Sequence, residues 1–237
     1  MITAPVRPMA ASVLVAPLLD GPHRPLTVAH RSRLALQLAD EQGRVVLGVM
    51  FPGAVRLPYG CAVASSPSTS SSLSVGDGVL SLGDDVYTVA RWWRPSRPRH
   101  RSLAGAVDPD GVRRLAEQWR RLLGRGPGLT PYGDDVLCGA LVMLHAVDHP
   151  SLPALRQSIG ATALETSTTA TSVSLLRAAC EGWCIDELAD HLAAVARGGP
   201  ASTSTRAALM RVGSSSGAGL LEGLALVAPT IDRQEAA

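Results

Sequence analysis

The 237-residue sequence contains no lysine: its 22 basic side chains are all arginine. That absence excludes every mechanism that needs a side-chain amine. No Schiff base can form through the protein, which removes pyridoxal phosphate chemistry and lysine aldolases. The Walker A lysine of a P-loop nucleotide site and the strand lysine of a kinase are missing as well. Aromatic residues make up only 3%, so a core must be packed mainly with Ala, Val and Leu. Net charge is equally small. A formal charge of +2 is too little to imply nucleic acid or an anionic membrane as partner. No apolar run reaches the ~18 residues of a membrane span. Met9 to Leu19, interrupted by Pro17 and followed by no good cleavage site, reads as a first strand rather than a signal peptide. The four cysteines form no C-x-x-C. Cys180 and Cys184 fall on one face of an expected helix, and all four, with Cys61 and Cys138, read as buried thiols rather than zinc ligands. A cytoplasmic protein is expected.

What is present is 46% apolar and 18% charged residues, a globular balance. The first part reads as β. Ser32 to Asp40 alternates apolar and polar residues, Glu41-Gln42-Gly43 makes a turn, and Arg44 to Met50 returns as a hairpin. Val55 to Ala64 is a further short strand, and Gly76 to Ala90 a last hairpin turning at Gly83-Asp84-Asp85. Residues 65–74 form a Ser-rich loop. Residues 91–104 read as an Arg/Pro linker in which Trp92 and Trp93 cap the β core. The expected fold is α+β: an N-terminal small β barrel or sandwich over residues 1–104, then an all-helical domain over 105–237.

The helical part opens with Asp108 as N-cap and Pro109 at the first turn, followed by a stripe of Val112, Leu115, Ala116, Trp119, Leu122 and Leu123. Val136 to Ala146 is apolar nearly all round, hence a central buried helix. Further helices are expected at Leu152 to Leu164, Ser172 to Glu181, Asp186 to Arg197, Ser202 to Val212 and Ala218 to Val227.

Between the first two of these helices lies Gly124 to Asp135, GRGPGLTPYGDD. Glycines let backbone N–H groups approach a ligand closely, and a helix start supplies unpaired donors and positive potential. Asp134 and Asp135 can move a proton, orient substrate or hold Mg²⁺. Two other segments share this grammar of a hydroxyl-rich loop entering an Ala/Leu-rich helix: Thr166 to Ser174 and Gly213 to Gly217. If the three starts converge, they make a pocket for a phosphate or carboxylate. The candidate catalytic residues are Asp134, Asp135 and Tyr132. The candidate binding residues are Arg125, Gly126, Gly128, Leu129, Thr130, Gly133, Thr168, Ser172, Ser215, Ser216 and Gly217. No metal is assigned beyond Mg²⁺ at the two aspartates. Gly213 to Gly217 also fits G-x-S-x-G, but a nucleophile elbow needs a strand before it, and a helix is expected there. His145, near the end of the central helix, reads as a cation for the helix dipole rather than as a metal ligand paired with His149.

The pattern GxGxGLTPxGDDxLxG, here Gly124 to Gly139, resembles the signature of a family of oxamate carbamoyltransferase subunits. Trp93-Arg94-Pro95 is similar to that family's W-x-P, Thr168 to Ala179 to its T-x-x-x-S-x-x-x-L-x-x-A, and Val212 to Gly223 to its closing G-H-T-S-G-A-D-L-L-x-G. The resemblance implies a role in anaerobic allantoin breakdown, where a multi-subunit enzyme exchanges a carbamoyl group between oxalurate and phosphate. It implies a small-molecule enzyme handling an anionic metabolite, with partner subunits or a homo-oligomer. Three positions depart from the pattern: Tyr132 stands for a small residue, Ser214 for the His and Gly219 for the Asp. Those departures leave open two other readings, a stand-alone hydrolase, cyclase or isomerase of a biosynthetic pathway, and a non-catalytic ligand-binding or scaffold subunit.

Overall fold

A computed structural model describes residues 6–67, 72–198 and 201–231. The chain divides into two compact units, Met1–Pro95 and Ser96–Ala237. Residues 68–71 of the expected Ser-rich loop and residues 232–237 of the expected helical domain lie outside the described residues.

In the first unit, eight strands close into a barrel: β1 (Val6–Ser12), β2 (Arg24–Arg31), β3 (Ala35–Ala39), β4 (Val45–Met50), β5 (Gly60–Ala62), β6 (Leu73–Gly76), β7 (Val79–Leu82) and β8 (Asp85–Trp93). Their order around the barrel is β1-β5-β4-β3-β2-β6-β7-β8. Parallel pairing of β1 with β8 closes the ring, so no edge is left to be covered. The sandwich alternative is therefore not needed. Both expected hairpins form, with Leu38 opposite Leu47 in β3 and β4 and Ser81 opposite Val86 in β7 and β8. Leu36, Leu38, Leu47, Val49, Leu80 and Leu82 supply a fully buried aliphatic core.

Four sequence expectations change here. The strand expected from Met9 to Leu19 stops at Ser12, whose hydroxyl accepts from Leu14 N–H at 3.1 Å. A 3₁₀ turn and the short helix α1 (Ala16–Leu19) follow, with Pro17 in the first helical turn where its missing N–H costs nothing. Val55 to Ala64 contributes only the three residues of β5. β2 and β6 were not expected. β2 alternates poorly because most of its residues face solvent, and β6 takes in Leu73 and Ser74, the last two residues of the expected Ser-rich loop. Trp92 and Trp93 do not cap from a linker: both belong to β8, and Trp92 is exposed.

The second unit is helical: α2 (Pro109–Leu122), α3 (Tyr132–Ala146), α4 (Leu152–Gly160), α5 (Ala170–Cys180), α6 (Asp186–Arg197), α7 (Ala201–Met210) and α8 (Ser216–Val227). Asp108 caps α2 by accepting from the N–H groups of Asp110 and Gly111 at 3.1 and 3.0 Å. Val112, Leu115 and Trp119 bury the expected stripe, while Ala116 is exposed. The central helix α3 is buried from Gly133 to Ala146. It packs most extensively on α8, and glycine makes that approach possible. A Cβ on Gly139 would lie 2.1 Å from the Leu220 carbonyl oxygen, and one on Gly223 would lie 2.1 Å from that of Val136. Each helix thus leaves a gap where the other's backbone lies, which sets the N-terminus of α8 beside that of α3.

Candidate functional site

The loop between α2 and α3 is held from both sides. Gly124, at φ +69, sits against the second hydroxyl-rich loop, where a Cβ would meet the Ser167 carbonyl oxygen at 2.2 Å. Its N–H donates to Asp134 Oδ1 at 2.7 Å. The Thr168 hydroxyl donates to Asp134 Oδ2. Thr169, which caps α5 by accepting from Ser172 N–H at 3.1 Å, donates to the Leu129 carbonyl at 2.6 Å. The third loop joins through Thr130 Oγ1 and Ser216 Oγ, 2.9 Å apart. Three segments scattered in sequence therefore meet around the first turn of α3.

The two aspartates differ in what surrounds them. Asp134 is fully buried and both its oxygens accept hydrogen bonds. It does not cap α3, whose N-cap is Pro131, with no side-chain bond to the helix start. Asp135 is 4% exposed, and its Oδ2 has no hydrogen-bond partner. Burial raises its carboxyl to about 7, and the neighbouring Asp134 adds to the rise. The hydroxyls of Ser216 and Thr130, which hydrogen-bond the carboxyl, oppose the shift. Desolvation disfavours the ionised form, so at neutral pH this group lies near the midpoint where it can both give and take a proton.

Beside the α3 start lies a cavity of about 270 Å³ lined by Leu122, Arg125, Gly126, Tyr132, Gly133, Val136 and Glu222. The Tyr132 phenol donates to Glu222 Oε2. That bond, with burial and the charges of Glu222 and Asp135, raises the phenol to about 12. Glu222 is unmarked in the sequence because it falls at the open position of the L-L-x-G pattern; its only signal is being the one carboxylate on α8. Sequence reasoning misses Thr169 too, although it stands three residues before Ser172 in a capping arrangement.

The other candidates have these places. Gly128 has φ +102 in the loop. Ser172 is buried, with no partner for its hydroxyl. Ser215 is the N-cap of α8 without a side-chain capping bond. At Gly217 a Cβ would collide with the Leu209 carbonyl oxygen. Ser214 is exposed. At Gly219, where the resembled pattern has Asp, a Cβ would lie 2.7 Å from Cβ of Asp135, so the departure at 219 and the closeness of α8 to Asp135 go together. The G-x-S-x-G match at Gly213 follows helix α7, not a strand, and makes no nucleophile elbow.

Two expectations are corrected. Cys180 and Cys184 do not share a helix: α5 ends at Cys180, and Cys184 N–H donates to the Ser96 carbonyl at 3.0 Å in a β-bridge. Cys61, Cys138 and Cys184 are buried and Cys180 half-buried, and burial pushes all four thiols up. His145 is not a cation for the helix dipole. Burial, followed by the charges of Arg99 and Arg97, lowers it to about 4, so it is neutral at pH 7. Among the described residues no group of three His, Cys, Asp or Glu side chains is placed to hold a metal ion. No helix of the described residues is long and apolar enough to cross a membrane.

The fold and site define a two-unit α+β protein whose helical unit gathers three hydroxyl- and glycine-bearing turns around a buried carboxyl. Residues 122–228 match the family model of oxamate carbamoyltransferase subunit AllH. The matched stretch runs from the end of α2 through α8 and agrees with the resemblance read from Gly124 to Gly139. The family's name makes its members subunits of a carbamoyltransferase. No curated protein matches the chain, and neither does any solved structure.

Proposed function

We propose that this protein is a small-molecule enzyme of the carbamoyltransferase-related type, which binds an anionic metabolite where the starts of α3, α5 and α8 meet. The observation that carries the reading is Asp135 Oδ2, buried and unpartnered amid three converging turns. Buried polar atoms are nearly always hydrogen-bonded, and an orphan calls for a functional reason. Asp135 is the proton carrier. Asp134, with both oxygens occupied, is a positioning residue that holds the Gly124 and Thr168 turns in register. Thr130 and Ser216 supply hydroxyl donors, and Arg125 the cationic fork for the anion. In the reaction that the family resemblance implies, carbamoyl transfer between oxalurate and phosphate, a group titrating near neutrality would take the proton from the attacking oxygen or return it to the leaving nitrogen.

The test is turnover by the purified chain, alone and with carbamoyltransferase partner subunits, following carbamoyl phosphate and oxamate. Asp135→Asn is expected to lower kcat by ~10²-fold or more while leaving the melting temperature intact. Unchanged turnover in that variant contradicts the assignment.

A further inference from the structure

The cavity beside α3 carries two opposite charges that do not close on each other. Arg125 and Glu222 both line it, both are exposed to solvent, and no ion pair joins them. Among the described residues the Arg125 guanidinium has no side-chain partner. Several other arginines of this helical unit do meet carboxylates: Arg99 and Arg101 on Asp148, Arg156 on Glu181, Arg177 on Glu165. Glu222 accepts one bond, from the Tyr132 phenol, at Oε2. A carboxylate has about four lone-pair sites, so acceptor capacity remains on a residue that fronts the cavity. The phenol is held in its protonated, donating form by that same bond. Leu122 and Val136 add apolar lining.

We propose that this cavity binds a small, net-neutral amino acid, its carboxylate on the Arg125 guanidinium and its ammonium on the Glu222 carboxylate. A simple anion would satisfy Arg125 but face the uncompensated charge of Glu222; a simple amine would do the reverse. A zwitterion satisfies both through charge-assisted hydrogen bonds. The volume of about 270 Å³ falls just below the ~300–1,000 Å³ of pockets for drug-sized ligands, which suits a short chain. Tyr132 also lines the cavity. This inference goes beyond the reading above and shares only Arg125 with it: the cavity lining leaves out Asp135, Thr130 and Ser216, and the amino acid is a further ligand beside the carbamoyl-transfer reactants, which carry no ammonium.

Calorimetric titration of the full chain tests it, with glycine, β-alanine and 4-aminobutyrate as probes. The controls are acetate, propionate and butyrate, and the matching alkylamines. One amino acid is expected to bind at least ~10-fold more tightly than its carboxylate or amine counterpart, and Arg125→Gln and Glu222→Gln are each expected to weaken it by ~10-fold or more at unchanged melting temperature. Tyr132→Phe, which keeps the ring and removes the bond to Glu222, is expected to weaken binding less than Glu222→Gln. The proposal is overturned if no amino acid binds, if each binds no better than its monocarboxylate, or if both charge variants bind as the wild type does. The two readings fail separately. Amino-acid binding that depends on Arg125 and Glu222 while Asp135→Asn keeps full turnover supports the zwitterion site and sinks the proton carrier. Loss of turnover in Asp135→Asn with no amino-acid binding does the opposite.

Discussion

Thr130 and Ser216 stand 86 residues apart in sequence, yet their hydroxyl oxygens are 2.9 Å apart. This one contact ties the loop entering α3 to the start of α8, and both hydroxyls also bond the Asp135 carboxyl. A shared, partly buried polar contact of this kind makes the two residues energetically coupled. Thr130→Val and Ser216→Ala are each expected to cost about 1 kcal/mol, and the double variant less than the sum of the two. A double-mutant cycle from urea denaturation measures this. Full additivity would show that the two loops do not brace each other.

Asp134 and Asp135 are adjacent but predicted to respond oppositely. Removing Asp134 leaves the Gly124 N–H and the Thr168 hydroxyl without acceptors in a buried place. Asp134→Ala is expected to destabilise by roughly 2–4 kcal/mol, the scale of losing hydrogen bonds to a charged group. Asp135→Asn removes a buried charge that lacks one of its partners, and at pH 7 it is expected to be neutral or stabilising. Denaturant midpoints for the two variants check the contrast; equal losses would contradict it.

The raised carboxyl of Asp135 also fixes a pH dependence. Between the ordinary carboxylate value near 3.8 and about 7, the folded state holds a proton that the unfolded state has lost. Stability from this group is therefore full below pH 4 and falls as pH rises to 7. His145, lowered to about 4 from 6.5, works the other way: the unfolded state binds the extra proton, so its contribution rises with pH over pH 4 to 6.5. The two slopes oppose each other in the wild type, and the Asp135 part is isolated by subtraction. The melting temperature of Asp135→Asn minus that of the wild type is expected to increase from pH 4 to pH 7 and then level off. A flat difference would contradict the shift.

The crossing of α3 and α8 gives a packing prediction. Ala in place of Gly gains about 1 kcal/mol of helix propensity. At Gly139 or Gly223, however, the added Cβ meets a backbone carbonyl at 2.1 Å, which cannot move without shifting the partner helix. Overpacking is expected to win, with a net loss of about 1–3 kcal/mol for Gly139→Ala and Gly223→Ala. Gly160, where a Cβ would meet nothing, is the control: Gly160→Ala is expected to leave the melting temperature unchanged or raise it.

The sequence makes some of this arrangement readable and hides the rest for physical reasons. Local chemistry is legible: Asp108 and Pro109 mark the start of α2, and Asp186 to Arg197 forms α6 with the bounds its periodicity gives. The all-apolar run after Asp135 has to be a buried helix, and it is. The barrel's β2 is hidden because an outward-facing strand has little alternation to show. That the three loops meet is only a conjecture from their shared composition, since nothing local tells Thr130 that it will face Ser216. The glycines at 139 and 223 set that meeting through tertiary contact alone. The different environments of Asp134 and Asp135 are equally invisible, because adjacent identical residues on a helix diverge only through what packs against each.

Direct observation of the Asp135 carboxyl is the decisive measurement. Carboxyl ¹³C NMR of protein labelled at the aspartate side chains, titrated from pH 3 to pH 9, is predicted to show one signal with a midpoint at about 7, absent from Asp135→Asn. If every aspartate carboxyl titrates below about pH 5, as ordinary or well-paired carboxylates do, the buried proton carrier at the meeting of the three turns does not exist.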